Sequence, residues 1–214
     1  MNPPLLKVEL TLHFDPIAVT GDKLRYFQGI NSELLPVSEI MDPPLICAYS
    51  SMDGMESMLI STDQIRLLSA RGVSFPRLRR SWSRLIEAFL DVFGISILDQ
   101  VSLVYLNEIE LQNLQSFRNY LNISFEMPPA LMERIEFFRS EFTYKYDFGE
   151  IHVWLQPDWD ETSESYCIQL SLESRRVEKI AKNNVPTYVQ QLHEGIKDAF
   201  HQILSRDFIE RLPQ

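Results

Sequence analysis

Between residues 70 and 94 the apolar spacing changes from two to about 3.6, and that change constrains the fold more than anything else in the chain. Leu78, Trp82, Leu85, Ile86, Phe89, Leu90 and Phe93 fall three and four apart, which puts them on one stripe of a helix. Ser74 stands where an N-cap belongs, Pro76 suits the first turn, and Gly94 accepts the left-handed backbone that ends a helix. Burying such a stripe contributes roughly 10–20 kcal/mol gross, at about 1.5–3 kcal/mol per side chain. A helix of this kind needs a broad apolar surface to lie on, and the flanking residues supply strands.

Residues 6–14 alternate as a strand does, and residues 45–51 and 57–61 flank Asp53-Gly54, a hairpin turn signal. A further strand, residues 64–70, follows the turn at Thr62-Asp63. Residues 15–44 are polar and carry Pro16, Pro36, Pro43 and Pro44, so they read as a crossing segment with a short helix near residues 24–30. After the helix the period returns to two. Val101, Leu103, Tyr105, Asn107 and Ile109 share one face, while Ser102, Val104, Leu106, Glu108 and Glu110 share the other. Residues 119–127 read as a strand ended by Pro128-Pro129, and residues 142–147 and 151–156 as a hairpin around Phe148-Gly149. Residues 166–173 form one strand more. Residues 184–212 read as one long helix, capped at Asn184 with Pro186 just inside and stopped by Pro213. Its stripe is Tyr188, Leu192, Ile196, Ala199 and Ile203, widened by Val189, Phe200 and Leu204.

This order predicts an α+β fold: an antiparallel sheet built from two diverged strand–hairpin–helix halves, with two long helices packed on one face. The expected organisation is a single compact domain over residues 1–214, with pseudo-repeat halves at about 1–111 and 118–214.

The chain carries 20 basic and 30 acidic residues, a formal net charge of −10. General affinity for a nucleic-acid backbone needs a basic face and is disfavoured; affinity for a basic protein is not. The charge is uneven. Arg71, Arg77, Arg79, Arg80 and Arg84 occur with no acid among them, and Asp158, Asp160, Glu161 and Glu164 surround Trp159 in what reads as an acidic loop. The arginines are candidates for binding phosphate, and Asp158, Trp159, Asp160, Glu161 and Glu164 for meeting a partner protein. Structural readings stand beside both: the arginines pair with carboxylates of Asp63, Glu87 or the other half of the chain, and the acidic loop is a solvated hairpin loop. Cys47 and Cys167 sit far apart in apolar runs and read as buried thiols. No apolar run reaches the roughly eighteen residues that a membrane helix needs. The start, MNPPLLKVELTLHFD, reads as the first strand and not as a signal peptide.

Enzymatic signatures are sparse. There is no Walker loop, GxGxxG, GxSxG or CxxC pair, and seven glycines leave little material for a phosphate-cradling loop. The stretch HEGIK is not HExxH, because Lys197 stands where the second histidine belongs. His193 and His201 are too far apart on one helix to share a metal. His193 is expected to hydrogen-bond at a helix–sheet seam. Asn107 and Tyr105 are expected to form a buried polar pair, or else the floor of a pocket. No cofactor and no metal are expected.

The strand Tyr105-Leu106-Asn107-Glu108-Ile109 is similar to the Tyr-x-Asn-x-Ile element of a sporadically distributed bacterial family of uncharacterised α+β proteins. The run from His193 to Phe200, followed by Asp207 and Phe208, resembles the closing His-Glu helix of that family. The resemblance implies the same fold and a prokaryotic cytoplasm, and no reaction. Composition and resemblance together lead to an expected function: a non-catalytic protein-binding subunit of the antitoxin, immunity or phage-defence kind. Its partner would be a toxin, a nuclease or another defence subunit. The alternative is a domain that senses nucleotides or nucleic acid through the basic patch of residues 71–84.

Overall fold

The computed structural model describes residues 5–41, 45–70, 74–111, 120–122, 139–146, 149–160 and 165–211. Its strands are β1 (Leu5–His13), β2 (Val37–Ile40), β3 (Leu45–Ser50), β4 (Glu56–Ser61), β5 (Gln64–Ala70), β6 (Ile97–Leu111), β7 (Ser140–Tyr146), β8 (Gly149–Asp160) and β9 (Ser165–Ala181). They form a nine-stranded antiparallel sheet in the order β2-β3-β4-β5-β1-β6-β9-β8-β7. The helices are α1 (Gly21–Asn31), α2 (Phe75–Phe93), α3 (Val185–Ile203) and α4 (Arg206–Arg211), with a 3-10 turn at Lys182–Asn184 before α3. The class is therefore α+β. Among the described residues no helix is long and apolar enough to cross a membrane. The chain divides into two compact units: one of Lys7–Leu103 and Arg175–Leu192, the other of Met1–Leu6, Val104–Ser174 and His193–Gln214.

In the first unit, β1 buries Val8, Leu10 and Leu12, and β5 buries Ile65 and Leu67. Their antiparallel register sets Leu10 opposite Leu67 and Leu12 opposite Ile65. A slip of one residue would turn this whole set to the other face. Met58 and Ile60 on β4 and Cys47 and Tyr49 on β3 extend the apolar surface. Helix α2 buries all seven residues of its stripe against that surface, as the spacing predicts. Phe89 lies at its centre, 4.5 Å from the Phe93 ring, 5.8 Å from Phe14 and 5.9 Å from Phe27. Gly94 ends α2 at φ 73°, giving its N–H to the Leu90 and Asp91 carbonyls. Ser74 stands at the N-cap with extended backbone, but its hydroxyl makes no capping bond. The Tyr49 hydroxyl donates to the Leu24 carbonyl at 3.1 Å and fastens α1 over β3. Strand β2 lies within the stretch read as a crossing segment.

In the second unit, Ile151, Val153 and Leu155 on β8, Ile168, Leu170 and Leu172 on β9, and Tyr105, Asn107 and Ile109 on β6 are buried. The β7–β8 hairpin closes with Tyr146 opposite Gly149. Two expectations change here. The final helix is not continuous: α3 stops at Ile203, Leu204 makes an isolated bridge with Leu121, and α4 begins at Arg206. Backbone bonds from Asn122 N–H to the Ile203 carbonyl and from Ser205 N–H to the Tyr120 carbonyl take over where the helix breaks. Ser205 then caps α4 by accepting the Phe208 N–H at 3.3 Å. Of the strand expected at 119–127, Leu121 makes that single bridge, and residues 119 and 123–127 lie outside the described residues.

The acidic loop also changes. Strand β8 runs on to Asp160, so Asp158, Trp159 and Asp160 have strand backbone. Glu161 and Glu164 lie outside the described residues. Strand β9 likewise passes the expected end at 173 and continues to Ala181. Ladder hydrogen bonding carries strands past the point where apolar alternation stops, because the backbone groups need partners whatever side chains they bear.

Candidate functional site

A groove in the first unit lies between α2 and the start of α3. Leu10 of β1, Trp82, Ile86 and Leu90 of α2, and Val185, Pro186 and Val189 of α3 line it, and its volume is about 280 Å³. The stripe on α2 that builds the core also builds one wall. Leu10 belongs to the alternating face of β1, and the 3-10 turn brings Lys182 and Asn183 to the mouth. Lys182 N–H donates to the Ser96 carbonyl at 3.0 Å, which anchors that turn.

Four charges stand around the mouth. Lys182 Nζ donates to Asp91 Oδ1 at 2.6 Å. Arg79 Nη1 donates to Gln190 Oε1 at 2.9 Å, a neutral partner, and Arg79 has no ion-pair partner among the described residues. Glu87 has no ion-pair partner among the described residues. Arg79 and Glu87 are eight residues apart on α2, about 12 Å at 1.5 Å per residue. The groove therefore presents an apolar floor, an exposed cation and an exposed carboxylate about two turns further on. Its volume falls just under the roughly 300–1,000 Å³ of small-molecule sites. It suits one or two apolar side chains entering between charged neighbours.

The four described arginines of the cluster do not converge. Arg71 lies outside the described residues. Arg79 turns to the groove, and Arg84 turns to α1, where it donates to the Ile30 carbonyl at 3.3 Å and lies 3.6 Å from Glu33. Arg77 acts on Asp53, whose carboxyl is held below its ordinary value first by the Ser51 hydroxyl and the Met55 N–H, with the arginine a smaller influence. Arg80 is exposed, without an ion-pair partner among the described residues. Among the described residues, the carboxylates that meet the cluster are those of Glu33 and Asp53, not Asp63 or Glu87.

The second unit holds a polar seam. The Tyr105 hydroxyl and His193 Nδ1 are 2.6 Å apart, so His193 bonds where a strand meets a helix, as expected. Burial pushes the Tyr105 hydroxyl far above its ordinary pKa, and the Glu194 charge adds to the effect. Burial lowers His193, and Glu194 opposes that in part. The pair is thus a phenol against a neutral imidazole. Asn107 is fully buried beside it; its Nδ2 donates to the Leu170 carbonyl at 3.3 Å, and its Oδ1 has no partner among the described residues. Among the described residues no three His, Cys, Asp or Glu side chains gather as a metal would require. Cys47 and Cys167 are both buried and neither is in a disulfide.

Sequence reasoning assigned Trp82, Ile86, Leu90 and Val189 to the core and missed that they also line a groove, with Val185 beside them. The available signal was the pair Glu87 and Asp91, four apart beside an apolar stripe. Lys182 carried none, because only the tertiary fold brings it to α2. The fold is that of an α+β protein with an apolar groove between α2 and the start of α3. The chain matches no protein-family model, and no curated protein matches it in sequence.

Proposed function

We propose that the chain is a non-catalytic binding protein that recognises another protein through the groove between α2 and α3. The observation that carries this reading is the apolar cleft of about 280 Å³ with Arg79 and Glu87 exposed at its mouth. The occupant is an apolar side chain of the partner, with a cation beside it to meet Glu87. A net charge of −10 draws a basic partner and raises its rate of encounter. Covering a basic active site or nucleic-acid groove of a toxin or nuclease is one use of such a protein.

The test is capture of a partner by the tagged full-length chain, repeated with Ser83→Trp, which fills the mouth, and with Glu87→Lys. Binding should be lost with the first variant, fall at least tenfold with the second, and weaken with salt in the wild type. Capture that survives both substitutions and ignores ionic strength overturns the proposal.

A further inference from the structure

We propose that β2 is a docking edge for an extended basic segment of a partner protein, which joins the sheet as one more antiparallel strand. This inference does not involve the groove.

Strand β2 ends the strand order, and all four of its residues are exposed, with Ile40 at 89% and Val37 at 45%. An open edge offers unpaired backbone groups unless proline, lysine or a bulge blocks it. Within β2 there is none of these: the sequence is VSEI, and its register against β3 is unbroken from Val37 opposite Ser50 to Ile40 opposite Cys47. Met41 N–H donates to the Ile46 carbonyl at 3.1 Å. Antiparallel pairs alternate between bonded and non-bonded sites. Val37, Glu39 and Met41 therefore turn their backbone groups toward β3, while Ser38 and Ile40 turn theirs outward. Those outward groups are what an added strand would bind.

The side chains specify which strand. Residues opposite one another in an antiparallel pair share a face. Ser38 is opposite Tyr49, and its Oγ accepts the Gln28 Nε2–H at 2.9 Å, so Ser38 and Ile40 lie on the α1 side. Incoming residues opposite these two would run beside α1, where apolar or β-branched side chains cover Ile40. The incoming residue between them meets Glu39 on the other face, at a non-bonded site where Cα atoms are only about 4.5 Å apart. Glu39 has no ion-pair partner among the described residues, so a lysine or arginine is favoured there.

The same geometry disfavours two of the three registers that a second copy of this chain could take. Outward-facing residues must pair with outward-facing residues. The register that sets Ser38 against Ile40 of another copy brings the two Glu39 carboxylates together at closest approach. Setting Ser38 against Ser38 places Ile40 opposite Pro36, which has no N–H to give.

The experiment is amide hydrogen exchange by NMR on the full-length chain, with the synthetic peptide Thr-Ile-Thr-Val-Lys-Val-Thr-Ile-Thr and its counterpart with Glu in place of Lys. The lysine peptide should slow exchange at Ser38 and Ile40. It should bind about three- to tenfold more tightly than the glutamate peptide, and Glu39→Lys should invert that preference. Ile40→Pro removes an outward N–H without touching the β3 ladder, so it should leave the thermal midpoint in place and abolish peptide binding. Unprotected amides at millimolar peptide, equal affinity for the two peptides, or protection that follows protein concentration without peptide each overturn the proposal.

Discussion

The groove of the first unit and the Tyr105–His193 seam of the second place polar groups beside apolar residues in opposite ways. At the groove the charges stand on solvent-exposed side chains beside apolar Leu10 and Trp82. At the seam the polar atoms are inside, with Tyr105 only 7% exposed and its hydroxyl 2.6 Å from an imidazole that burial keeps neutral. A hydrated charge is cheap to keep and available to a partner; a buried polar atom must be satisfied internally, at a cost of about 1–3 kcal/mol when it is not. On the function proposed above, the first arrangement serves recognition, while the second keeps its polar atoms within the packing.

The largest expected effect tests whether the groove floor is also core. Trp82→Ala should lower the unfolding free energy by about 3–5 kcal/mol in urea denaturation, because it empties volume between a helix and the sheet. A loss under 1 kcal/mol would mean that the groove is open enough to absorb the deletion, and the contrast with the seam would blur. Next is Tyr105→Phe, which removes the hydroxyl facing His193 Nδ1 and should cost about 1–2 kcal/mol by the same measurement.

The seam also predicts a pH dependence. His193 has a folded pKa below its ordinary value of 6.5, so protonation favours the unfolded chain. The stability linked to it is complete above about pH 6.5 and is lost as pH falls below that value and through the folded pKa. Thermal midpoints from pH 7.5 to 5 should therefore drop more steeply in the wild type than in His193→Phe. Parallel curves would remove His193 from this role. The smallest effect belongs to the mouth: Glu87→Gln should change stability by less than about 0.5 kcal/mol. A larger loss would make Glu87 a structural residue, and the two regions would no longer differ in kind.

Much of the scaffold was legible from residue spacing. The stripe from Leu78 to Phe93 and the glycine after it place α2 correctly, and strict alternation locates β1 and β5, because these segments bury one whole face and cannot slip. Strand β2 was not legible: its four residues are exposed, so no burial pattern marks them. The polar run SRRVEK was not read as the second half of β9, since its place depends on ladder bonds with a neighbouring strand. The break after Ile203 was hidden because Leu204 and Phe208, four apart, keep a helical spacing across it. For the sites, His193 and Tyr105 were visible as odd residues in apolar surroundings and do meet. The groove was not visible, because every residue of its floor has an equally good reason to be buried, and only distant parts of the sequence complete it.

Strand β9 and helix α3 each contribute residues to both units. Vectorial synthesis therefore delivers α2 long before the polypeptide that faces it across the groove, and neither unit can close while translation is still short of residue 185. Nascent chains of intermediate length would carry the Trp82 side of α2 uncovered, and they are the species that a ribosome-associated chaperone would be expected to hold.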